Sequence, residues 1–470
     1  GNVSSSILAG MWPQIEPPEN PIDYVTNAVH VPSFLATDWN ETFDRHLGLG
    51  WMHRLSDQNC WQGVNRIPDQ IFWSIRQSLK AQLLHLIGHR VRQQHLRNQG
   101  SESHLDRMLK FADPANPTVL TIGFARRFAT YKRAALLFNN LDWLREILSD
   151  AARPVLFIFA GKAHPADEPG QNLIRQITEL SRLAEFEGRI LVLEDYDLHL
   201  ARRLVSGVDV WLNNPIYPLE ASGTSGIKAA INGAMNLSVL DGWWGEGYDG
   251  KNGWAIKPAA EGLDPHERDI EEARTLYELL QDSVIPLYYR NTALGYSPEW
   301  VAMSKHSIAS IMPRFSMGRM LDEYTSKFYA PAAAQWRKYA GEDFSGAQHV
   351  AAWKEKIRAA WPGVFIRRVD KPLNRIRYGN ALNFEVAVQL NGLAAEDITV
   401  ELVFTRPGER SPARSKRYAL RHERALDRGE HLFVRELTLD QCGKIDYRIR
   451  AFPQHELLTH TFEMGMTVWL

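Results

Sequence analysis

The sequence predicts an α/β fold in which a doubly wound parallel sheet is followed by an antiparallel β-sandwich. Two observations predict it. Short apolar runs alternate with amphipathic stretches between residues 118 and 256, and runs that alternate apolar with polar residues follow residue 365. A third observation concerns size: 470 residues are too many for one hydrophobic core, so we expect two or three domains.

The first 115 residues are predicted to be mostly helical. In PDQIFWSIRQSLKAQLLHLIGHRVRQQH, large apolar residues recur at helical spacing, and the segment shows no strand signal. The set is Ile71, Ile75, Leu79, Leu83 and Leu86. We therefore predict helices up to about residue 115.

The segment from 118 to 256 has the pattern of parallel strands joined by helices. Five apolar runs are typical of buried strands: VLTIGFA, PVLFIFAG, RILVLED, DVWLN and NLSVLD. Helices are predicted between them at 132–149, 170–186, 197–206 and 224–235. In such a sheet ligands bind beyond the carboxyl ends of the strands, so we expect the functional site there.

Beyond this sheet the pattern turns helical and then changes to β. Residues 266–286 and 315–340 have helical spacing, and we expect a domain boundary near 355–365. The runs ALNFEVAVQL, ITVELVF, HLFVRELTL and KIDYRIRAF then alternate apolar with polar residues, which predicts an antiparallel sandwich. The basic stretch FTRPGERSPARSKRYALRHERALDR is best explained as a solvated hairpin loop.

Composition excludes several classes of protein. Lys+Arg 54 against Asp+Glu 55 gives a net charge of -1, so we expect neither nucleic acid nor a membrane surface as partner. Two cysteines, Cys60 and Cys442, are too few for a disulfide framework and suggest a reducing compartment. The N-terminal segment lacks a basic, apolar signal pattern, and no segment approaches a membrane span. We therefore expect a cytoplasmic protein.

The segment PLEASGTSGIKAAINGA, residues 218–234, is the most informative for chemistry. Small residues from Ser222 to Gly226 let backbone N–H groups approach a ligand, and the next helix directs its positive end there, which suits phosphate. Lys228, expected in the first helical turn among apolar neighbours, would have its pKa lowered by burial and its amine freed for a Schiff base. The alternative is a lysine whose stem lies along apolar neighbours while its head reaches water.

The segment TIGFARRFATYKR, residues 121–133, concentrates positive charge at the end of the first predicted strand. Arg126, Arg127 and Lys132 would lie at the carboxyl edge of the sheet, where two phosphates could be held. Lys162, in IFAGKAHPADEPG, ends the second strand in a similar position. A solvated basic turn is the alternative for each of these segments.

These residues carry a resemblance to a known family. EASGTSGIK resembles the lysine motif at which the glycogen, starch and maltodextrin phosphorylases bind pyridoxal phosphate, and ARRFATYKR resembles their anion-site segment. AGKAHP and LEDYDLHLA also match, in the family's order. Together with LSVLDGWWGEGYDGKNGW and the N-terminal TNAVHVPSFLA, these segments look like the short bacterial form. The resemblance extends over roughly residues 1–470. It implies a two-lobed glycosyltransferase (GT-B-like) fold whose C-terminal lobe is the Rossmann-like region.

The resemblance also implies a cofactor site and a domain division. Lys228 would bind pyridoxal 5'-phosphate covalently, Thr224, Ser225 and Tyr196 would border it, and Arg126 would lie beside its phosphate. Residues 1–115 would be the helical remainder of the N-terminal lobe, 116–355 the cofactor-binding lobe and 356–470 the β-sandwich domain. A homodimer is expected by analogy.

The substrate site implied by the resemblance is that of α-1,4-glucan phosphorolysis. Inorganic phosphate would attack the terminal glucosyl unit of glycogen, starch or maltodextrin and release α-glucose 1-phosphate, with no protein nucleophile. The residues carried over for phosphate are Arg127 and Lys132, and those for the glucosyl unit are Glu220, Ser222 and Gly223, with Tyr131 nearby. Lys228, Arg127 and Lys132 would be the catalytic residues.

This sequence departs from the family pattern at several positions. Asp197 stands where the long forms carry an arginine, Ala28 replaces a glycine, and Ile227 replaces a common methionine. The family's N-terminal lobe, with a glycine-rich loop and a sugar-contacting histidine, would lie upstream of Gly1. We therefore expect the chain to be a fragment or one of two polypeptides, inactive alone.

Two other functions stay open at this point. A glucosyltransferase of the same fold would use a sugar nucleotide without bound pyridoxal, and the Lys228 motif argues against it. A non-catalytic glycan-binding or regulatory protein would bind glucan without turnover. No metal site is expected, because neither HPADEPG nor DGWWGEGYDGKNG has ligand residues at the required spacing.

Overall fold

The structure is a computed structural model that describes residues 2–13, 15, 19–98, 101–260, 262–290, 294–371, 379–405, 416–438, 444 and 446–470. Contacts divide the chain into two compact units. One consists of Gly1–Val3 and Val25–Glu323, and the other of Ser4–Tyr24 and Tyr324–Leu470. The three-domain division at 115 and 355 stays a prediction.

The larger unit contains a six-stranded parallel sheet. Its strands are β1 (Leu120–Ala125), β2 (Val155–Ala160), β3 (Ile190–Leu193), β4 (Val210–Asn213), β5 (Met235–Val239) and β6 (Gly253–Ile256). They lie in the order β3-β2-β1-β4-β5-β6, and all neighbours pair in parallel. The order reverses direction between β1 and β4, which is the switch point where ligands bind in doubly wound sheets. The predicted α/β fold with a parallel sheet is confirmed.

Helices precede this sheet in the chain, connect its strands and follow its last strand. The helices before β1 are α1 (Asn2–Leu8), α2 (Val31–Phe34), α3 (Asn40–Leu47), α4 (Gln58–Trp61), α5 (Asp69–Arg97) and α6 (Glu102–Met108). Those between the strands are α7 (Leu141–Ser149), α8 (Glu168–Ser181), α9 (Leu198–Gly207), α10 (Thr224–Ala230) and α11 (Gly242–Gly247). Those after β6 are α12 (Pro265–Leu279), α13 (Ile285–Tyr288), α14 (Pro298–Ile311), α15 (Met317–Tyr324) and α16 (Ala330–Ala360).

Two predicted helices are shorter than the sequence pattern indicated. The helix expected at 132–149 begins at Leu141, because Arg133 has a left-handed φ of 47° and the Asn140 side chain caps a new helix by accepting from the Trp143 N–H at 3.0 Å. The helix expected at 224–235 ends at Ala230, since Gly233 has a φ of 85° and Met235 already belongs to β5. Turn geometry overrides the apolar periodicity in both cases.

The smaller unit is built on two four-stranded antiparallel sheets. The strands are β7 (Phe365–Arg368), β8 (Ala381–Gln389), β9 (Ile398–Thr405), β10 (Lys416–Ala419), β11 (Arg421–Ala425), β12 (Glu430–Thr438), β13 (Asp446–Pro453) and β14 (Val468–Trp469). Their orders are β10-β9-β13-β14 and β11-β12-β8-β7. Inward residues of both sheets, such as Val386 and Leu402, share one core, so the antiparallel prediction is confirmed. Residues 406–415 of the predicted basic loop, and Cys442, lie outside the described residues.

Among the residues that the structure describes, no helix is both long enough and apolar enough to cross a membrane.

Candidate functional site

A buried cluster of charged side chains lies at the switch point of the parallel sheet. Arg126 follows β1 directly, and its guanidinium donates to Oδ1 of Asn213, the last residue of β4. The same guanidinium donates to Oε2 of Glu220 at 3.0 Å, and Nζ of Lys132 donates to that same oxygen. The Arg126, Lys132 and Glu220 side chains are 9%, 8% and 7% exposed. Two cations thus share one carboxylate oxygen in this buried cluster, and a second carboxylate, that of Asp241, interacts electrostatically with Glu220 and Lys132.

Burial and charge act in opposite directions on this cluster. Desolvation lowers the pKa of Arg126, while the charge and hydrogen bond of Glu220 oppose that shift. Because a guanidinium stays protonated in proteins, Arg126 remains a cation even in this setting. The cations of this cluster are therefore suited to contact an anionic ligand as well as Glu220.

Glu220 is held in place by a carboxylate from the next strand. Oδ2 of Asp241 accepts the backbone N–H of Glu220 at 2.9 Å, and Oδ1 accepts that of Gly242 at 2.7 Å. Burial raises the pKa of Asp241, although both hydrogen bonds oppose that shift. Asp241 lies just beyond β5, as Arg126 lies just beyond β1. Asp241 and Asn213 were not among the residues predicted from the sequence, although the same signal, a polar residue at the carboxyl end of a strand, applied to both.

The loop between Glu220 and α10 packs tightly against α11. A Cβ on Gly242 would lie 2.5 Å from the carbonyl oxygen of Ser222, and Gly223 has a left-handed φ of 75°. The carbonyl oxygen of Ser222 accepts the N–H of Trp243 at 2.8 Å. The hydroxyl of Ser222 is buried, and it has no hydrogen-bond partner among the described residues. Since buried hydroxyls are normally paired, the hydroxyl of Ser222 has hydrogen-bonding capacity that the described residues do not use.

Lys228 lies on α10 with an aromatic ring over its amine. It is the fifth of the seven residues of α10, so it belongs to the last turn and not to the first, as the sequence had suggested. Its side chain is half-buried, and Nζ lies 4.0 Å from the centroid of the Phe34 ring. Phe34 was not among the site residues predicted from the sequence, because nearly 200 residues separate it from Lys228 and no local pattern links the two.

The ring acts on the Lys228 amine in two opposing ways. A π-face attracts an ammonium ion by about 0.5–1 kcal/mol at exposed sites. Covering the amine also removes the water that stabilises its charge. Burial lowers the pKa of Lys228, and no carboxylate among the described residues raises it. The amine is therefore closer to its neutral, nucleophilic form than that of a surface lysine.

The other predicted site residues lie around these two features. Ser225 accepts from the Trp211 indole at 3.2 Å, and Thr224 begins α10. Tyr196 is half-buried, and desolvation raises its pKa while the charge of Arg126 opposes the shift. Nζ of Lys132 lies 4.5 Å from the centroid of the Tyr131 ring.

Two predicted cations stand apart from the buried cluster. Arg127 is exposed, and it has no ion pair with any residue that the structure describes. Lys162 is exposed beyond β2, where its carbonyl oxygen accepts the N–H of Phe128 at 3.0 Å. Within the described residues, no group of three or more His, Cys, Asp or Glu side chains could hold a metal ion.

Comparison with known proteins identifies the class of this chain. Residues 115–244 match the carbohydrate phosphorylase family, and residues 361–470 match the glycogen phosphorylase C-terminal domain. The first match contains the charged cluster and Lys228. Both matched models describe phosphorylases, and the resemblance seen in the motifs of this chain is confirmed.

Individual relatives make the similarity more specific. The maltodextrin phosphorylase of Thermococcus litoralis is 40% identical over 474 residues, which cover 99% of this chain and 54% of that protein. The glycogen phosphorylase of Mycobacterium tuberculosis is 37% identical over 476 residues, which cover 99% of this chain and 54% of that protein. The glycogen phosphorylase of Aquifex aeolicus is 44% identical over 313 residues, which cover 66% of this chain and 44% of that protein. The chain spans about half the length of these relatives.

Proposed function

We propose that this chain is the cofactor-carrying part of an α-1,4-glucan phosphorylase, which converts glycogen, starch or maltodextrin and inorganic phosphate reversibly to α-glucose 1-phosphate. The observation that carries the proposal is the pairing of two features at one sheet edge. A half-buried lysine without a counter-ion, Lys228, is joined by a short loop to a buried cluster in which two cations share one carboxylate oxygen. Relatives named maltodextrin and glycogen phosphorylase support the substrate class.

The residues of this site fit pyridoxal phosphate. A covalently held carbonyl cofactor requires an amine that is readily deprotonated, and burial lowers the pKa of Lys228. In the proposal Lys228 holds the cofactor, Thr224, Ser225 and Tyr196 border it, and Arg126 neutralises its phosphate. When bound, pyridoxal phosphate supplies a second phosphate group, which assists the substrate phosphate in protonating the departing glycosidic oxygen.

Arg127 and Lys132 are proposed to bind the substrate phosphate. Arg127 is exposed and has no ion pair among the described residues, so its guanidinium can form a bidentate contact without first losing a partner. Lys132 is paired with Glu220 and would contribute a point charge from a nearly dry position. Both cations stabilise negative charge that would otherwise repel between two neighbouring phosphates.

The glucosyl unit is proposed to bind along residues 220–223. The carboxylate of Glu220 and the unpaired hydroxyl of Ser222 can exchange hydrogen bonds with sugar hydroxyls, and Gly223 allows the sugar to approach the backbone closely. Tyr131 would border the same space. The buried setting excludes water, which keeps hydrolysis from competing with transfer to phosphate.

The wider organisation is part of the same proposal. We infer a GT-B-like protein with a second lobe N-terminal to Gly1, a helical inter-lobe region up to residue 115, a cofactor lobe to 355 and a β-sandwich domain from 356. The similarity of nearly the whole chain to about 54% of longer phosphorylases supports it. A cytoplasmic location and a homodimer follow from the same analogy.

The test is covalent trapping of the cofactor. The purified chain is incubated with pyridoxal 5'-phosphate, reduced with borohydride and mapped by mass spectrometry. We expect the pyridoxyl group on Lys228, its loss in Lys228→Arg, and no change in Lys162→Arg, the exposed lysine beyond the neighbouring strand. A chain that takes up no cofactor, or that uses ADP-glucose or UDP-glucose with its N-terminal lobe restored, would contradict the proposal.

A further inference from the structure

The side chain of Asn232 bridges two segments that are far apart in the sequence. Its amide nitrogen donates to the carbonyl oxygens of Phe34 and Lys228, each at 2.8 Å, and its amide oxygen accepts the N–H of Ala36 at 2.8 Å. A carboxamide has two donor hydrogens and one acceptor oxygen, and all three are used here. Asn232 is 0% exposed, so water does not compete for these bonds.

The Phe34 segment depends on such contacts because its own helix is too short to be stable. The helix α2 has only four residues, and a single turn does not offset the entropy of ordering it. Two side chains hold the end of α2 and the backbone after it: Asn232 binds Phe34 and Ala36, and Arg202 of α9 donates to the carbonyl oxygen of Ser33 at 3.1 Å. The Phe34 ring lies 4.0 Å from Nζ of Lys228 as a result.

Asn232 therefore links the backbone of Lys228 and the backbone of Phe34 through one rigid amide. We propose that Asn232 is a positioning residue, which fixes the Phe34 ring against the Lys228 amine so that the ring, and not bulk water, covers it. The inference rests on the proposed function only for the reaction that uses the amine. The three hydrogen bonds and the ring contact are observed in the structure and do not depend on the proposed function.

Removing this link uncovers the amine. If residues 33–36 move away, water reaches Nζ and stabilises the ammonium form, because burial is what lowers the pKa of Lys228. Arg202 of α9 is a charged group that also borders the Phe34 ring, with its guanidinium 6.0 Å from the ring centroid. Below the pKa, each unit by which the pKa rises lowers the neutral fraction about tenfold.

The first pair of variants breaks the link at either end. Asn232→Ala removes all three bonds. Ala36→Pro removes only the N–H donor, and its ring is compatible with the backbone there: Ala36 has a φ of −67°, and Leu35 before it is extended, with φ −72° and ψ 131°. If Asn232→Ala does not fold, Ala36→Pro still tests the link.

A matched control is Asn252→Ala. Asn252 is also 0% exposed and makes three hydrogen bonds, but to Gly247, Ser310 and Asp249. It therefore reproduces the loss of a fully bonded, buried carboxamide without touching the Phe34 segment. Phe34→Ala, alone and combined with Asn232→Ala, completes the set.

The readout is the acetylation rate of Lys228 in the chain without cofactor, measured with acetic anhydride from pH 6 to 10 and quantified by peptide mass spectrometry. At pH 8 we expect roughly threefold to tenfold slower reaction in Asn232→Ala, Ala36→Pro and Phe34→Ala, no change in Asn252→Ala, and no further loss in the double variant. Unchanged Lys228 rates in folded Asn232→Ala and Ala36→Pro would overturn the inference, as would additive losses in the double variant. Acetylation needs no cofactor, so it tests the role of Asn232 independently of pyridoxal phosphate. A failure of pyridoxal phosphate to bind is recorded separately, in the trapping experiment.

Discussion

Arg126 and Lys132 donate to the same carboxylate oxygen of Glu220, and one of these contacts is 3.0 Å long. One carboxylate thus compensates two buried cations, which come from the end of β1 and from the turn that follows it. This relationship makes Glu220 both a structural counter-ion and a proposed sugar ligand. Its two roles can be separated experimentally.

Glu220→Gln should destabilise the chain and increase its affinity for anions. Removing one partner of a buried ion pair costs about 3–5 kcal/mol, since the remaining charge is left uncompensated. Phosphate should recover part of this loss by replacing the missing negative charge. Urea unfolding with and without phosphate measures both effects. The control Glu278→Gln removes the partner of Arg274 in an exposed pair and should change little. Equal stability of the two variants would contradict the prediction.

Gly223→Ala should cost more than the same change at Gly250. Both glycines have a left-handed φ, 75° and 84°, so alanine at either position would cost about 1–2 kcal/mol in backbone strain. A Cβ on Gly223 would also lie 3.2 Å from the Glu220 carboxyl carbon, whereas a Cβ on Gly250 meets nothing within 4 Å. We expect lower phosphate affinity only in Gly223→Ala. Denaturant unfolding and phosphate titration test the difference, and identical behaviour would show that the Glu220 contact is unimportant.

Lys228→Met should alter the pH dependence of stability in a defined direction. The folded pKa of Lys228 is lowered from its ordinary value of 10.5 by burial, so the unfolded chain binds more protons between the two values. In the parent chain the unfolding free energy therefore rises with pH across that window. The advantage of Lys228→Met should be largest below the lowered pKa and should disappear towards pH 10.5. Unfolding curves over this range measure it, and a constant difference would contradict the assignment.

Glu19→Gln should release the N-terminal segment of the smaller unit. Arg450, 1% exposed, donates to both oxygens of Glu19 and to Glu401, so losing the Glu19 charge should cost about 3 kcal/mol. Ile15 packs with Phe452 and Phe462 beside this pair. We expect faster proteolytic cleavage between residues 4 and 24, detected by mass spectrometry. Arg367→Met, which breaks an exposed pair with Glu430, is the control and should leave cleavage unchanged.

Local patterns in the sequence determined the main elements. Buried parallel strands are continuous apolar runs, so β1 to β5 were predicted near their observed positions. The short strand β6, Gly253–Ile256, was missed, as were β7, β10, β11 and β14, which lie at sheet edges or carry exposed residues. Such strands form because a neighbouring strand offers hydrogen bonds, and their own residues carry little signal.

The sequence by itself also predicted where the chemistry would lie. The residues at strand ends and the motif around Lys228 identified Arg126, Lys132 and Glu220 before any contact was known. Only the tertiary structure decided that these three side chains share one oxygen, that Asp241 holds the backbone of Glu220, and that the Phe34 ring covers Lys228. The physical reason is that periodicity and turn chemistry act over a few residues, whereas burial, ion pairing and the pKa of an amine depend on groups that folding brings together from distant parts of the chain.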